Sequence, residues 1–323
     1  MLHLRCGTDI LDTLDAAGLP GRKAAWADPL CEGPWPALDR ALVRPMRARH
    51  LAERYQRGFM ATLADLGAAD ELLDTATDED EVVLWFEHDL YDQAILAWLL
   101  DRLTPLAPRV RLSLVQVHEY PGVARFIGLG QLDAVALGAL FAARAPVTGA
   151  QLALAARAVA AWTADEPHAL ERLRARDAAL PYLAPAIGRY LAEYPGTRDG
   201  LATSERLALE AIAAGAGTAR AAFADVQARE ARPWMGDAML FARLRALAEG
   251  VDPLLAVEGD WGLELEGDPR LALTALGRRV LAGDADAWTL RPQERWMGGV
   301  HLRPGGVDWR WDGERVVQGR AAP

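Results

Sequence analysis

Ionisable side chains fall directly after four short, largely apolar runs of this chain. Thr8 and Asp9 follow Leu2 to Cys6, and Asp28 and Glu32 follow Lys23 to Trp26. Glu87, His88, Asp89 and Asp92 follow Val82 to Phe86, and His118 and Glu119 follow Val110 to Val117. Carboxylates that converge suit a hard cation such as Mg²⁺ or Mn²⁺, and added histidines suit Zn²⁺ or Fe²⁺. Such an ion polarises a phosphoryl or carbonyl oxygen and lowers the pKa of a bound water. Without a metal, the same groups can do general acid–base work, one carboxylate as base and His88 or His118 as its acid partner. Asp89 and Asp92 stand three apart at a helix start, so both reach one face of its first turn. They are the expected metal ligands. His88, Asp89, Asp92 and His118 are the candidate catalytic residues. Asp9, Asp28, Glu32 and Glu119 are candidate ligand-binding groups, and Gly7 and Thr8 would turn backbone towards an anion. Asp89 is also a good N-cap, and acids stabilise a first helical turn in any protein.

For these residues to meet, the four runs must be strands of one parallel sheet, because ligands bind outside the carboxyl ends of such strands. The pattern supports that arrangement. Val82 to Phe86 is continuously apolar, as expected of a strand buried on both faces. Helical periodicity over Asp9–Ala17 and Tyr91–Leu103 supplies crossovers, and Ala37–Leu66 reads as an arginine-rich helical stretch with a break near Pro45. The expected fold is therefore a Rossmann-like α/β domain over residues 1–131. A helical segment over 132–196 follows, broken at Pro146, Pro167, Pro181 and Pro185. Turn-formers at Pro195 to Gly200 mark a boundary. From 197 to 323 the order of three helices, a two-stranded wing and a further helix predicts a winged-helix-like α+β domain. A terminal ribbon turning at Pro304-Gly305-Gly306 would carry Trp309 and Trp311 on one face.

Composition sets limits on function. With 51% hydrophobic and 25% charged residues among 323, the chain has the composition of a globular protein with a full core. No apolar run is long enough to cross a bilayer and no signal peptide is evident, so the expected location is the cytoplasm, with no membrane partner. Cys6 and Cys31 are too few for a disulfide framework and read as packing thiols. A net charge of −10 opposes broad adhesion to nucleic acid. The would-be recognition helix opens on Asp237, and the wing from Val257 to Asp268 is acidic, which opposes DNA binding further. The run Asp78 to Glu81 reads as a solvated loop, and Arg40, Arg44, Arg47, Arg49, Arg54 and Arg57 as a solvent face. No phosphate-binding loop, zinc-protease helix or nucleophile elbow occurs, and Gly128-Leu129-Gly130 ends on Asp133, not the final glycine of a dinucleotide fingerprint.

Four segments, Gly7-Thr8-Asp9, Trp26 to Pro34, Trp85 to Gln93 and Arg125 to Leu132, together resemble a bacterial family known as a domain of unknown function, number eighteen-thirty-five. The likeness covers the first 130 or so residues. It continues loosely through Arg198 to Gly200, Arg232 to Asp237 and Trp296 to Leu302. It implies that these positions belong together and brings no catalytic residues with it. The residues themselves point to an enzyme, metal-assisted, acting on a phosphate- or carboxylate-containing small molecule or nucleotide at the strand ends. The alternatives are a ligand-sensing regulator whose winged-helix-like part contacts nucleic acid or a protein partner, and a purely structural interaction protein.

Overall fold

A computed structural model describes residues 1–291 and 293–319 of the chain. The chain opens with β1 (Leu2–Arg5), α1 (Leu11–Ala16) and β2 (Arg22–Ala25). A two-residue strand, β3 (Gly33–Pro34), precedes the paired helices α2 (Arg40–Tyr55) and α3 (Phe59–Asp74). Next come β4 (Glu81–Phe86), α4 (Leu90–Leu103) and β5 (Arg111–Gln116). β1 pairs in parallel with β2 and β4, and β4 with β5. After α5 (Ala134–Ala142), β6 (Ala145–Pro146) adds an antiparallel edge to β5, giving the order β2-β1-β4-β5-β6. The path runs from β1 outward to β2 and returns across β1 to β4. The crevice between β1 and β4 is thus the switch point, where open parallel sheets bind ligands.

Strand alternation divides the core between the two faces of this sheet. Val82, Leu84 and Phe86 pack with Leu2, Leu4 and the apolar side of α4, while Val83 and Trp85 pack with Ile10, Leu14, Leu129 and Leu137. Both faces are covered, which explains the unbroken apolar run in β4. His3 is buried in β1, its Nδ1 accepting from Trp85 Nε1 at 3.0 Å and its Nε2 lying 3.0 Å from the Pro20 carbonyl. Its role is therefore structural.

The helices α6 (Gly149–Trp162), α7 (His168–Arg172) and α8 (Leu183–Leu191) follow, with α6 and α8 packed on α4. Three more helices, α9 (Thr203–Ala213), α10 (Ala219–Arg229) and α11 (Asp237–Ala248), lead to an antiparallel ribbon of β7 (Leu255–Glu258) and β8 (Arg270–Leu273). Then come α12 (Ala275–Ala282) and α13 (Ala287–Leu290). β9 (Arg295–Gly298) pairs in parallel with β3 and antiparallel with β10 (Val300–Leu302). Finally β11 (Trp309–Trp311) and β12 (Val316–Gln318) form a separate ribbon. No helix among the described residues is long and apolar enough to cross a membrane.

Several expectations need correction. Pro45 does not break α2: it lies on the exposed side, as does Ala41, whose carbonyl loses its helical partner there. The chain turns instead at Gln56, in the left-handed region at φ 54°. Pro185 sits in the first turn of α8, where a missing N–H costs little. The terminal ribbon joins β11 to β12 across Asp312 to Arg315, so the turn at Pro304 to Gly306 links strands of different sheets. The arginines of α2 are not all a solvent face. Arg47 is fully buried, and Arg40 and Arg54 pair with acids beneath the surface. Glu81 is no loop residue either: it is buried at the start of β4, held by Arg111, Arg144 and Ser113.

Candidate active site

The switch point carries a cluster of charged side chains built from β1 and from the turn after β4. Arg5, the last residue of β1, is 5% exposed and lies among carboxylates. Its Nη1 donates to Asp92 Oδ1 at 2.6 Å and its Nη2 to Glu87 Oε1 at 2.6 Å. Its Nε and Nη2 also reach the two oxygens of Asp9 at 3.2 Å each. The turn from β4 into α4 supplies the acids. Asp89 caps α4 by accepting the Asp92 N–H at 3.1 Å. Asp92 Oδ1 takes the Glu87 N–H at 2.6 Å, and its Oδ2 takes the Cys6 thiol at 3.0 Å. Glu87 Oε1 receives the Leu129 N–H at 2.6 Å, while Gly128 passes so close that a Cβ there would lie 2.6 Å from Oε2.

Glu87, Asp89 and Asp92 are all buried, and one oxygen from each lies within 4.8 Å of the others. That spacing can hold one divalent ion. Burial, reinforced by the charge of Asp92, pushes Glu87 up to about 8. Burial and the same neighbour also raise Asp89 well above the carboxylate range. In this environment a carboxyl group can keep its proton near neutral pH and donate it. Burial and Asp92 likewise push the Cys6 thiol up, so it is a neutral donor and not a nucleophile.

These groups form one side of a cleft of about 680 Å³. The opposite side comes from far along the sequence: Trp234, Met235, Gly236, Ala238 and Met239, at the start of α11, with Glu264 from the loop between β7 and β8. Leu51 and Leu66 continue the apolar lining from α2 and α3. The cleft therefore joins a polar floor to an apolar wall, the usual composition of a small-molecule site.

No protein-family model matches this chain, and no curated protein does so significantly.

Of the residues singled out by sequence, Asp9, Asp89 and Asp92 gather around Arg5, with Glu87 among them. Gly7 and Thr8 form the turn that presents Asp9, and neither lines the cleft. Asp28 is not available to a ligand. It is fully buried, gripped by Arg47 Nε at 2.7 and 2.8 Å and by Arg40 Nη2 at 3.2 Å, because a buried carboxylate requires its counterion. Glu32 lies outside the cleft, accepting from Tyr55 OH and facing Arg54 and Arg243. Burial alone would raise it, but the two arginines hold it below the usual carboxylate range.

The histidines are also elsewhere. His88 is 6% exposed and packs beside Phe126 and Tyr182, outside the cleft lining. Burial lowers its pKa, with Arg232 acting in the same direction. His118 is half exposed and bonded to Tyr182 OH at 2.6 Å, while Glu119 is on the surface 4.0 Å from it. Proton shuttling by His88 or His118 at the carboxylates has no geometric support here. Arg5 and Glu87 join the cluster in addition to the residues that the sequence pattern marks as candidates. The available signal was an arginine ending a strand that is otherwise buried on both faces.

Proposed function

We propose that the chain is an enzyme working in this cleft, with Glu87, Asp89 and Asp92 holding a divalent cation. That cation would act on a small molecule that carries a phosphate or carboxylate group. The observation behind this reading is a charge imbalance: Asp9, Glu87 and Asp92 share the single guanidinium of Arg5, and Asp89 lies within 4.8 Å of two of them. Like charges about 4 Å apart repel by roughly 4 kcal/mol at an effective dielectric constant of about 20. Protons or a cation relieve this repulsion, but only a cation also offers an anionic substrate a partner. Asp65 and Glu264 also line the cleft with one arginine, Arg57, between them, so the lining keeps an excess of acids and a bare phosphate would be repelled. The cation would polarise the substrate oxygen and acidify a water, whose proton would leave to solvent through the open side of the cleft. The apolar wall around Leu51, Leu66, Trp234 and Met239 favours a substrate with an apolar or aromatic body beyond its charged group.

Two further observations support a ligand site. Segments far apart in the chain meet here: Ala27 and Pro29, Glu87, Asp89 and Asp92, Ile127, and Pro233 to Gly236 line one space. The expected winged-helix-like unit would comprise α9 to α11 and the β7–β8 ribbon. A DNA reader inserts the start of its third helix into the major groove. In this chain that start lines the cleft, and the ribbon loop carries Asp260, Glu264, Glu266 and Asp268. This favours a cleft wall over a nucleic-acid contact.

Titration calorimetry with Mn²⁺, Mg²⁺ and Zn²⁺ tests the proposal. The unaltered protein should bind one ion per chain. Asp89→Asn should lose that affinity while keeping α4 capped, since asparagine caps as well as aspartate. Failure of all three ions to bind, or unchanged binding by Asp89→Asn, would remove the metal from the mechanism.

A further inference from the structure

Beyond the Tyr55–Glu32 hydrogen bond, between α2, α11 and β9, lies a second cavity of about 120 Å³. Its walls hold charged side chains with bonding capacity left over. Glu193 is 3% exposed and Glu32 6%, and the Arg243 side chain is 10% exposed. Five buried polar atoms that make no hydrogen bond among the described residues belong to the residues lining this space: Glu32 Oε2, His50 Nε2, Arg54 Nε, Glu193 Oε2 and Arg243 Nε. Their opposite charges face each other without closing. Arg243 Nη2 stands 3.5 Å from Glu32 Oε2 and 3.6 Å from Glu193 Oε2, and Arg54 Nε stands 3.4 Å from Glu32 Oε2. These are loose ion pairs without hydrogen bonds, and buried charged donors and acceptors seldom go without them, so a polar occupant is expected.

Charge selects the occupant. A simple anion would meet Glu32 and Glu193, and a simple cation would meet Arg54 and Arg243. The third arginine, Arg295, is already held by Glu205 at 2.6 Å. His50 contributes no charge, because burial holds it down at about 4. A molecule bearing both charges satisfies both pairs. We infer that this cavity binds a small zwitterion of the α-amino acid type, its carboxylate on Arg54 and Arg243 and its ammonium between Glu32 and Glu193. The volume suits it. One water needs about 10–15 Å³ by this measure, so there is space for roughly eight water-sized groups. Exposed Ala246 and Glu294 stand among the lining residues and mark an entrance. The site is separate from the cleft: α11 places Met239 in the cleft and Arg243 in the cavity, about one turn apart.

Calorimetry and thermal melts with glycine, alanine, acetate, methylamine and inorganic phosphate test the inference on the full chain. Glycine or alanine should bind one per chain and raise the melting midpoint by roughly 2–5 °C at saturation, and the single-charge probes should not. Ala246→Trp should fill the entrance, abolish this shift and leave the unliganded midpoint unchanged. Should the tryptophan variant fold poorly, Ala246→Leu provides the same reading with a smaller plug. Equal binding of acetate or phosphate, binding that survives both plugs, or no binding of either amino acid would overturn the assignment. In the last case the cavity is a hydrated charge cluster.

Discussion

A single methyl group added at position 128 should disable the cleft and leave the fold standing. Gly128 is extended, with φ 176° and ψ 168°, so alanine enters without backbone strain. Its Cβ would stand 2.6 Å from Glu87 Oε2 and 2.9 Å from Oε1. Ordinary contact begins at 3.4 Å, so something must yield by about 0.8 Å. The carboxyl group cannot swing freely. Oε1 is pinned by the Arg5 Nη2 and Leu129 N–H donors, both at 2.6 Å, and a bond to a charged group is worth about 1.5–3 kcal/mol. Displacing a reacting group by about 1 Å can cost roughly 100-fold in rate. The expected result for Gly128→Ala is Mn²⁺ affinity reduced at least tenfold or so and a melting midpoint lowered by roughly 3–8 °C. Calorimetry and a thermal melt on the same preparation read both. Gly130→Ala is the control: its Cβ would meet Asp9 Oδ2 at 3.2 Å, a partly exposed side chain that can rotate away. If Gly128→Ala binds Mn²⁺ as tightly as the unaltered chain, Glu87 is not a ligand and the reasoning fails.

Other outcomes follow from the buried charges. Arg47→Met strips Asp28 of its main counterion and should lower stability by about 3–5 kcal/mol in denaturant unfolding, while Arg47→Met with Asp28→Leu should recover only the part due to the unpaired carboxylate, because the Pro29, Glu32 and Pro34 carbonyls still lose their donor. Glu81 is drawn down to about 2 by its hydrogen bond from Arg144, against an ordinary value of 4.5. Because the folded value is the lower one, its stabilisation is complete above 4.5 and disappears as the pH falls towards 2. Glu81→Gln should therefore flatten the acid limb of the stability profile, and an unchanged limb would contradict this. Cys6 and Cys31, both buried and raised in pKa, should resist thiol reagents until the chain unfolds. Fast labelling of either in the native protein would show that the pocket opens.

Much of the sheet was readable because a parallel strand buried on both faces has a continuous apolar run, as Val82 to Phe86 does. The start of α11 was readable from Gly236 and Asp237. Asp89 and Asp92 were readable because a strand end followed by a helix start fixes their neighbourhood. What remained hidden depends on pairings across the chain. Arg5 meets partners more than 80 positions later, and strand periodicity cannot show that an arginine at its end is neutralised. Arg47 shares a helix with solvent-facing arginines, and only the location of Asp28 sets its direction. His88 sits between two residues of the cluster, yet its side chain packs on Phe126 and Tyr182. The far wall of the cleft comes from residues beyond 230, which no local pattern ties to β1.

The pairing of Gly33 and Pro34 with Met297 and Gly298 also shapes how the molecule is made. As the chain leaves the ribosome, the loop bearing Cys31 and Glu32 must wait for nearly all later residues before its neighbouring strand exists. Closing so long a segment slows assembly and leaves apolar surface open to chaperones and aggregation meanwhile. A gene fragment ending before residue 295 would lack that strand, so its product should be recovered in inclusion bodies and not as an independently folding half.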